Sequence, residues 1–153
     1  ALAPNGAVTK GFPIKFDENQ LREGFASPCT AKCLKALQDR KLVLLCIQNE
    51  RTQFTQVAMS AAQSFKADSR FAGTTEVITV NPEDRAEAAL LQDLQIDART
   101  PLAVTVLLAP PGQPIAKFSG AVTKDQIVAK VASAQSGPCA NGQCGPGGCG
   151  PKK

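Results

Sequence analysis

The chain contains no histidine, tryptophan or tyrosine, and only one methionine. The missing histidine excludes haem and zinc sites that use histidine ligands, and it excludes catalytic triads with a histidine base. No apolar run approaches the roughly 18 residues that a membrane-spanning helix needs. The 17 basic and 13 acidic residues leave a net charge of only +4, with no block of lysine and arginine. We therefore expect neither a membrane span nor a nucleic-acid partner.

The residues that are present indicate a globular, exported protein. A chain of 153 residues with 43% hydrophobic residues is long enough for one domain with a real core. It begins Ala-Leu-Ala-Pro, and an A-x-A triplet is typical of signal-peptidase sites. Six cysteines favour an oxidising compartment. We predict a periplasmic or extracellular location.

The first half of the chain reads as helix, strand, helix, strand. Ser27 followed by Pro28 predicts a helix start, with the serine as N-cap, and the helix should extend to about Arg40. Residues 42–47 are continuously apolar, which is typical of a strand covered on both faces, and residues 75–80 form a second strand. Between them a long helix should begin at residue 50 or 51. Its predicted core-facing stripe consists of Phe54, Val57, Ala58, Ala61, Ala62 and Phe65.

The second half reads as helix, strand, strand, helix. Asn81 and Pro82 predict another helix start, and that helix carries four apolar residues: Ala86, Ala89, Leu90 and Leu94. A strand over residues 102–109 follows Pro101, and a tight turn at 110–113 leads to a strand at 114–119. Thr123 and Gln126 have the spacing of a capping box at the start of the last helix.

The two ends of the chain differ in composition from the rest. Residues 1–26 read as an N-terminal arm, residues 27–135 as the folded domain and residues 136–153 as a tail. The tail is rich in glycine and proline, has no large apolar residue, and so cannot build a core of its own. It carries three evenly spaced cysteines: Cys139, Cys144 and Cys149.

This order of elements resembles the thioredoxin fold over roughly residues 30–135. The closest local likeness covers residues 94–104 and 112–120 and continues into the helix at Thr123. The resemblance implies an α/β fold with a central mixed sheet flanked by helices. It also implies a cis peptide bond between Thr100 and Pro101, beside the position of the family's active site.

The chain departs from thioredoxins at the site that carries their chemistry. In that family the first central strand leads into a C-x-x-C motif, and the helix N-terminus acidifies the attacking thiol. The corresponding stretch here, Gln-Asn-Glu-Arg-Thr-Gln-Phe at residues 48–54, contains no cysteine. We therefore expect no thiol exchange at this site. By resemblance, Arg51, Thr52, Thr100 and Pro101 would line a groove that holds an extended partner segment through backbone hydrogen bonds.

Cys29 and Cys33 form a C-x3-C motif on the first helix and admit several interpretations. They could be a relocated dithiol, with the pKa of Cys29 lowered in the first helical turn. The motif also resembles the copper site of Sco-type proteins, although there the pair follows the strand and a histidine completes the site. Alternatively one of them pairs with another cysteine, or Cys33 belongs to the core. Cys46, in the middle of a strand, is expected to be a small buried hydrophobe.

Three interpretations also apply to Cys139, Cys144 and Cys149. They could bridge to Cys29 or Cys33, hold a soft metal such as Cu(I) or Zn²⁺, or bond to another chain. The favoured hypothesis is a non-catalytic accessory or structural subunit that binds another protein or a multi-subunit assembly and needs no cofactor. The alternatives are a thiol–disulfide oxidoreductase using Cys29, Cys33 and the tail thiols, and a Cu(I) or zinc metallochaperone.

Overall fold

The structure is a computed structural model that describes residues 1–11 and 26–135. The predicted tail at 136–153 and the part of the predicted arm between residues 12 and 25 lie outside the described residues. The three tail cysteines, Cys139, Cys144 and Cys149, lie outside the described residues too.

A four-stranded mixed sheet forms the centre of the domain. Its strands are β1 (Leu42–Ile47), β2 (Thr75–Val80), β3 (Val104–Ala109) and β4 (Gln113–Ser119), in the spatial order β2-β1-β3-β4. β1 pairs parallel with β2 and antiparallel with β3, and β3 pairs antiparallel with β4. The C-terminal ends of β1 and β2 therefore lie side by side at one edge of the sheet.

Helices cover both faces of this sheet. They are α1 (Pro28–Gln38), α2 (Thr55–Ala67), α3 (Ala88–Asp93), which follows a short 3₁₀ turn, and α4 (Lys124–Gln135). Residues of α1 and α3 pack on one face in a first core cluster, and residues of α2 and α4 pack on the other face in a second. The order of elements and the mixed sheet confirm the predicted thioredoxin-like fold.

The sequence signals for two helix starts are confirmed by their hydrogen bonds. Ser27 is the N-cap of α1, and its Oγ accepts a hydrogen bond from the backbone N–H of Thr30 at 3.2 Å. Before α4, the backbone N–H of Thr123 donates to Oε1 of Gln126 at 2.9 Å, and the N–H of Gln126 donates to Oγ1 of Thr123 at 3.3 Å. These caps satisfy N–H groups that have no partner within the helix.

The predicted start of α2 was wrong by four or five residues. A turn closes first, because Oδ1 of Asn49 accepts the backbone N–H groups of Arg51 and Thr52 at 2.9 and 3.1 Å. The helix begins only at Thr55. As a result Phe54 and Val57, which were predicted to face the core, are each 47% exposed. The rest of the predicted stripe is buried.

The predicted start of the third helix was also too early. Oδ1 of Asn81 accepts the N–H of Glu83 at 3.0 Å and forms a separate turn. α3 itself begins at Ala88. Its buried apolar side chain is Leu91, whereas Ala86 and Ala89, two of the four apolar residues of the predicted helix, are exposed.

The predicted cis bond at Pro101 was wrong as well. Among the described residues the cis peptide bond is Pro110–Pro111, in the turn between β3 and β4. At Pro101 the chain direction is set by a turn in which the N–H of Thr100 donates to the carbonyl of Asp97 at 3.1 Å, and by a backbone hydrogen bond from Gln53 to Pro101. These contacts bring the chain to β3 with an ordinary trans bond.

The described part of the N-terminal arm lies against α1. Nδ2 of Asn5 donates to the carbonyl of Ala31 at 2.9 Å. The side chain of Gln38 forms two hydrogen bonds with the backbone of Val8, at 3.1 and 2.7 Å. Ala7 is fully buried. Residues 1–11 are therefore attached to the domain through polar side chains of the arm and of α1.

Candidate functional site

The loop that replaces the family's redox motif is held by its own side chains. Oγ1 of Thr52 accepts the N–H of Asn49 at 3.0 Å, donates to the carbonyl of Asn49 at 2.9 Å, and lies 3.1 Å from Oγ1 of Thr55. Thr52 is only 8% exposed. The structure therefore places Thr52 inside the loop as a closing contact, and Arg51 outside it, where its guanidinium lies 2.9 Å from Glu83.

The same loop pairs with the segment that leads into β3. The N–H of Gln53 donates to the carbonyl of Pro101, and the N–H of Ala103 donates to the carbonyl of Gln53, each at 2.9 Å. Oγ1 of Thr100 bonds to both backbone groups of Leu102, at 3.0 and 3.4 Å. These bonds bring the four predicted groove residues to one end of the sheet.

This pairing leaves little free backbone at the predicted groove. The carbonyl of Ala103 accepts the N–H of Gly120 at 2.8 Å, so every backbone hydrogen-bonding group of residues 101–103 has a partner within the domain. A partner segment at this face would therefore meet side chains, because strand addition at residues 101–103 would first have to displace Gln53.

Beside the loop lies an exposed apolar surface, which we call the apolar patch: Phe54, Val57, Pro101 and Leu102. Phe54 and Val57 are each 47% exposed, Pro101 is exposed and Leu102 is half-buried. The ring of Phe54 packs above Gly120, where an added Cβ would lie 3.5 Å from its Cδ2 and 3.8 Å from Cδ1 of Leu102. A groove of about 500 Å³ between α2 and the start of α4 continues from Val57.

Phe54 also has an unusual backbone conformation for a bulky residue. Its φ of 64° and ψ of 16° are left-handed, and it occupies the N-cap position of α2 without a side-chain cap. For an L-residue this conformation costs about 1–2 kcal/mol. Backbone strain of this kind clusters at functional sites, and it is also found here at Arg40 and Gln95. Phe54 therefore combines a strained backbone with an exposed aromatic ring.

On the other side of Arg51 lies a second feature, which we call the polar cavity. It has a volume of about 350 Å³ and is formed by the loops that follow β1 and β2, with Gln48, Asn49, Glu50, Arg51, Asn81 and Glu83 as its lining. Gln48 is 8% exposed, and its Oε1 has no hydrogen-bond partner among the described residues. In open α/β sheets, ligands bind beyond the C-terminal ends of the strands, which is where this cavity lies.

The described cysteines are free thiols, and none of them belongs to the loop at residues 48–54. Cys29 is half-buried in the first turn of α1, Cys33 is buried one turn later, and Cys46 is buried in β1. Burial and the nearby carboxylate of Glu87 raise the pKa of Cys29 to about 11, which corrects the predicted lowering by the helix N-terminus. Burial, followed by the neighbouring Cys29, raises the pKa of Cys33 to about 12, and burial raises that of Cys46 to about 11.

Glu87 explains why the helix N-terminus does not activate Cys29. This glutamate is only 2% exposed, accepts the backbone N–H of Cys29 at 3.1 Å, and accepts a hydrogen bond from Oγ of Ser27. It thus takes the position at the positive end of the helix dipole that a thiolate would need. The sequence offered one signal for it: Glu87 precedes the buried Leu91 by four residues, which would place both on one face of the helix predicted from residue 82.

Two further observations concern metals and membranes. Within residues 1–11 and 26–135, no group of three or more cysteine, aspartate or glutamate side chains could hold a metal ion. The tail cysteines, for which Cu(I) or Zn²⁺ was considered, are not among these residues. No helix in the same part of the chain is long and apolar enough to cross a membrane.

Comparisons with known proteins found structural likeness only. No protein-family model and no curated protein matches the chain. Among the solved structures that are similar, two match at 10% sequence identity. One, described as a malarial protein, has a TM-score of 0.49 and matches over 61% of this chain and 96% of its own. The other, thioredoxin-2, described as a component of the malaria parasite protein secretion machinery, has a TM-score of 0.48, with coverages of 61% and 82%.

The sequence pointed to part of this site and missed the rest. Arg51, Thr52, Thr100 and Pro101 do lie together, although Thr52 is largely buried. The outward orientation of Phe54 and Val57 was missed, since their spacing matched a core stripe. The polar cavity was missed too. Its signal was the polar residue directly after each of two predicted strands, Gln48 after β1 and Asn81 after β2.

Proposed function

We propose that this chain is a thioredoxin-fold protein that binds another protein through the apolar patch and does not exchange thiols. The observation that carries the proposal is the exposure of Phe54 and Val57 beside a loop that has no cysteine. Large apolar side chains grouped at a surface typically mark an interaction site. An aromatic anchor is the kind of residue that dominates binding energy at protein interfaces.

The state of the thiols supports the non-catalytic half of the proposal. A thiol with a pKa of about 11 or 12 is almost entirely protonated at neutral pH, and the thiolate is the form that attacks a disulfide. Cys33 and Cys46 are also buried, at 3% and 1% exposure, and so are poorly accessible to a protein disulfide. An oxidoreductase that depends on Cys29 and Cys33 would need a thiolate at Cys29 and access to Cys33, and the described residues favour neither.

The wider role that we propose is that of an exported accessory or structural subunit. The tail would then serve as an attachment element, anchored by a disulfide, by a metal or by the partner. This part of the proposal rests on composition: six cysteines and a tail rich in glycine and proline. A disulfide map of native material by mass spectrometry, together with metal analysis, tests the anchoring.

A site-specific photo-cross-linker tests the binding surface. Benzoylphenylalanine would replace Val57 in the full chain, expressed in the source organism. The matched control is the same replacement at Val8, a valine of the N-terminal arm that is 53% exposed, against 47% for Val57. We expect a discrete cross-linked species from position 57 that position 8 does not give. Absence of an adduct at 57, or the same adducts from both positions, would count against the apolar patch.

Insulin reduction in the presence of dithiothreitol tests the absence of thiol exchange. The full chain should precipitate insulin no faster than dithiothreitol alone. Acceleration that disappears when Cys139, Cys144 and Cys149 are all changed to serine would replace this proposal with the oxidoreductase that uses the tail thiols. Acceleration that survives those changes but disappears in Cys29→Ser would assign the chemistry to α1.

A further inference from the structure

The two outer strands of the sheet differ in how their edges are protected. β4 contains Pro114, and its pairing with β3 is irregular between Leu107 and Leu108. Prolines and bulges of this kind keep an edge strand from pairing with another chain. β2 has neither, because its six residues contain no proline and pair with β1 in one unbroken register. The edge of β2 is therefore regular enough to accept a further strand.

The backbone groups on this edge belong to Thr75, Val77 and Thr79. The hydrogen bonds that close the two ends of the β1–β2 pair use the carbonyls of residues 74 and 80. Even-numbered residues of β2 therefore bond to β1, and the odd-numbered ones direct their N–H and C=O groups away from the sheet. Among the described residues, these outward groups meet only Sγ of Cys29, which lies 3.6 Å from the carbonyl of Thr79. An added strand would find both donors and acceptors here.

A groove of about 600 Å³ follows the same edge, between residues 76–79 of β2, α1 and the N-terminal arm. Lys35 of its lining pairs with Asp39 at 2.6 Å, and Glu76 lies 3.5 Å from Lys66. The lining also contains two lysines that form no ion pair with a described residue: Lys32 and Lys41. The uncommitted charge of the groove is therefore positive, and it is complementary to an acidic partner.

The two uncommitted lysines lie toward opposite ends of β2. Lys41 directly precedes β1, whose first residue pairs with Thr75. Lys32 comes three residues after Cys29 on α1, and Sγ of Cys29 contacts the carbonyl of Thr79. A strand rises about 13 Å over four residues, and residues four apart lie on the same face of a strand. An added strand can therefore direct two side chains, four residues apart, toward the two lysines.

We propose that the edge of β2 binds an extended, acidic segment of a partner protein as an added strand, with carboxylates four residues apart at Lys32 and Lys41. Backbone hydrogen bonds to residues 75, 77 and 79 supply affinity in this mode of recognition, and the side chains supply specificity. A second copy of this chain fits less well, because antiparallel pairing of two β2 strands would bring the lysines of both copies together. The tail at residues 136–153 has no acidic residue to supply the carboxylates.

This inference does not rest on the proposed function. The edge of β2 and the apolar patch share no residue, so they are separate surfaces of the domain. Binding of an acidic strand would stand even if position 57 gave no cross-link. A cross-link from position 57 would likewise stand even if no acidic strand bound.

The test is an NMR titration of the ¹⁵N-labelled full chain with the peptide acetyl-Thr-Glu-Val-Thr-Val-Glu-Thr-amide. This peptide has strand-forming residues and two glutamates four residues apart. We expect saturable shifts of the backbone amides of Thr75, Val77 and Thr79. The matched peptide with both glutamates changed to glutamine should bind about 2- to 30-fold more weakly, the effect of losing two exposed ion pairs. Equal binding of the two peptides, or no saturable shifts, would overturn the inference.

Variants assign the binding to the backbone edge and to the two lysines. Val77→Pro removes an outward N–H group and leaves the bonds between β2 and β1 intact, so it should abolish the shifts in a folded chain. The double variant Lys32→Gln/Lys41→Gln should bind the glutamate peptide no better than the glutamine peptide. Lys130→Gln, which changes an exposed lysine of α4, should leave both affinities unchanged. Full affinity for the glutamate peptide in the double variant would contradict the proposed ion pairs.

Hydrogen exchange in the peptide-free chain tests whether the edge is available. The amides of Val77 and Thr79 should exchange quickly with solvent, whereas that of Ile78, which points toward β1, should exchange slowly. Slow exchange of all three amides in the monomer would show that the chain covers its own edge. Shifts of the same amides with protein concentration would show that two copies pair. Either result would overturn the assignment of this edge to an acidic partner.

Discussion

The reactivity of Cys29 gives a quantitative test of the raised pKa of its thiol. Its pKa of about 11 lies two units above the reference value of 9.0, so below pH 9 it carries about 100-fold less thiolate than an unperturbed cysteine. Thiolates of higher pKa are more nucleophilic, and a Brønsted slope of about 0.4–0.5 raises the rate constant of the Cys29 thiolate by roughly tenfold, which offsets part of this loss. Alkylation by iodoacetamide at pH 8 should therefore be about tenfold slower than for the same cysteine in the urea-unfolded chain, before any loss of access is counted.

The pH profile tests the cause of that slow reaction. Peptide-resolved mass spectrometry can follow alkylation of Cys29 alone in the full chain. The rate should keep rising toward pH 11, whereas the unfolded chain should level off near pH 9. Glu87→Gln keeps a hydrogen-bonding oxygen but removes the charge, so it should shift the profile partway to lower pH, because burial, the larger cause, remains. A native profile that levels off near pH 9, or no shift in Glu87→Gln relative to Glu83→Gln, would refute the reasoning.

Three further predictions concern stability, each measured by urea unfolding. Phe54→Gly should be more stable than Phe54→Ala by about 0.5–1 kcal/mol, because glycine removes a left-handed strain of about 1–2 kcal/mol at an entropic cost of about 0.5–1 kcal/mol. The opposite order of stability would contradict the left-handed backbone conformation at residue 54. Because the pKa values of Cys29 and Cys33 are raised in the folded protein, the contribution of these thiols to the free energy of unfolding is fully present below pH 9 and is lost as the pH rises toward 11. The double variant Cys29→Ser/Cys33→Ser should reduce this loss. Hydrogen bonds from Arg70 and Lys124 hold the pKa of Asp68 well below its usual value of 3.8, so Asp68→Asn should destabilise the protein at neutral pH. The difference in the free energy of unfolding between variant and parent should narrow below pH 3.8, and a difference that stays constant with pH would contradict the ion pairs.

The strands and two helix starts could be predicted because their causes are local. Residues 42–47 and 75–80 match β1 and β2 to the residue. For residues 42–47 the reason is that a short apolar run bounded by polar residues has few other ways to be buried. Ser27 and the pair Thr123 and Gln126 cap helices through contacts that lie within four residues along the chain. In both cases the interaction that decides the structure can be seen in the sequence itself.

The site could be predicted less well, because it depends on competing local hydrogen bonds and on contacts between segments that are far apart in the chain. Asn49 can either precede a helix or bond to its own backbone two and three residues on, and the second outcome delayed α2 and turned Phe54 and Val57 outward. The pairing of Gln53 with residues 101–103 joins segments almost fifty residues apart. No periodicity signals such a contact.

The loop at residues 48–54 has a consistent physical role once these contacts are combined. In a thiol-exchange enzyme this position must stay open and reactive, but here Asn49 and Thr52 close it with hydrogen bonds and Gln53 pairs it to the start of β3. A loop fixed in this way can hold neighbouring groups in place without moving. It keeps Phe54 exposed on one side and places Gln48 and Glu50 at a cavity on the other. Because rigid, preorganised groups lose little entropy on binding, the arrangement favours recognition over reaction.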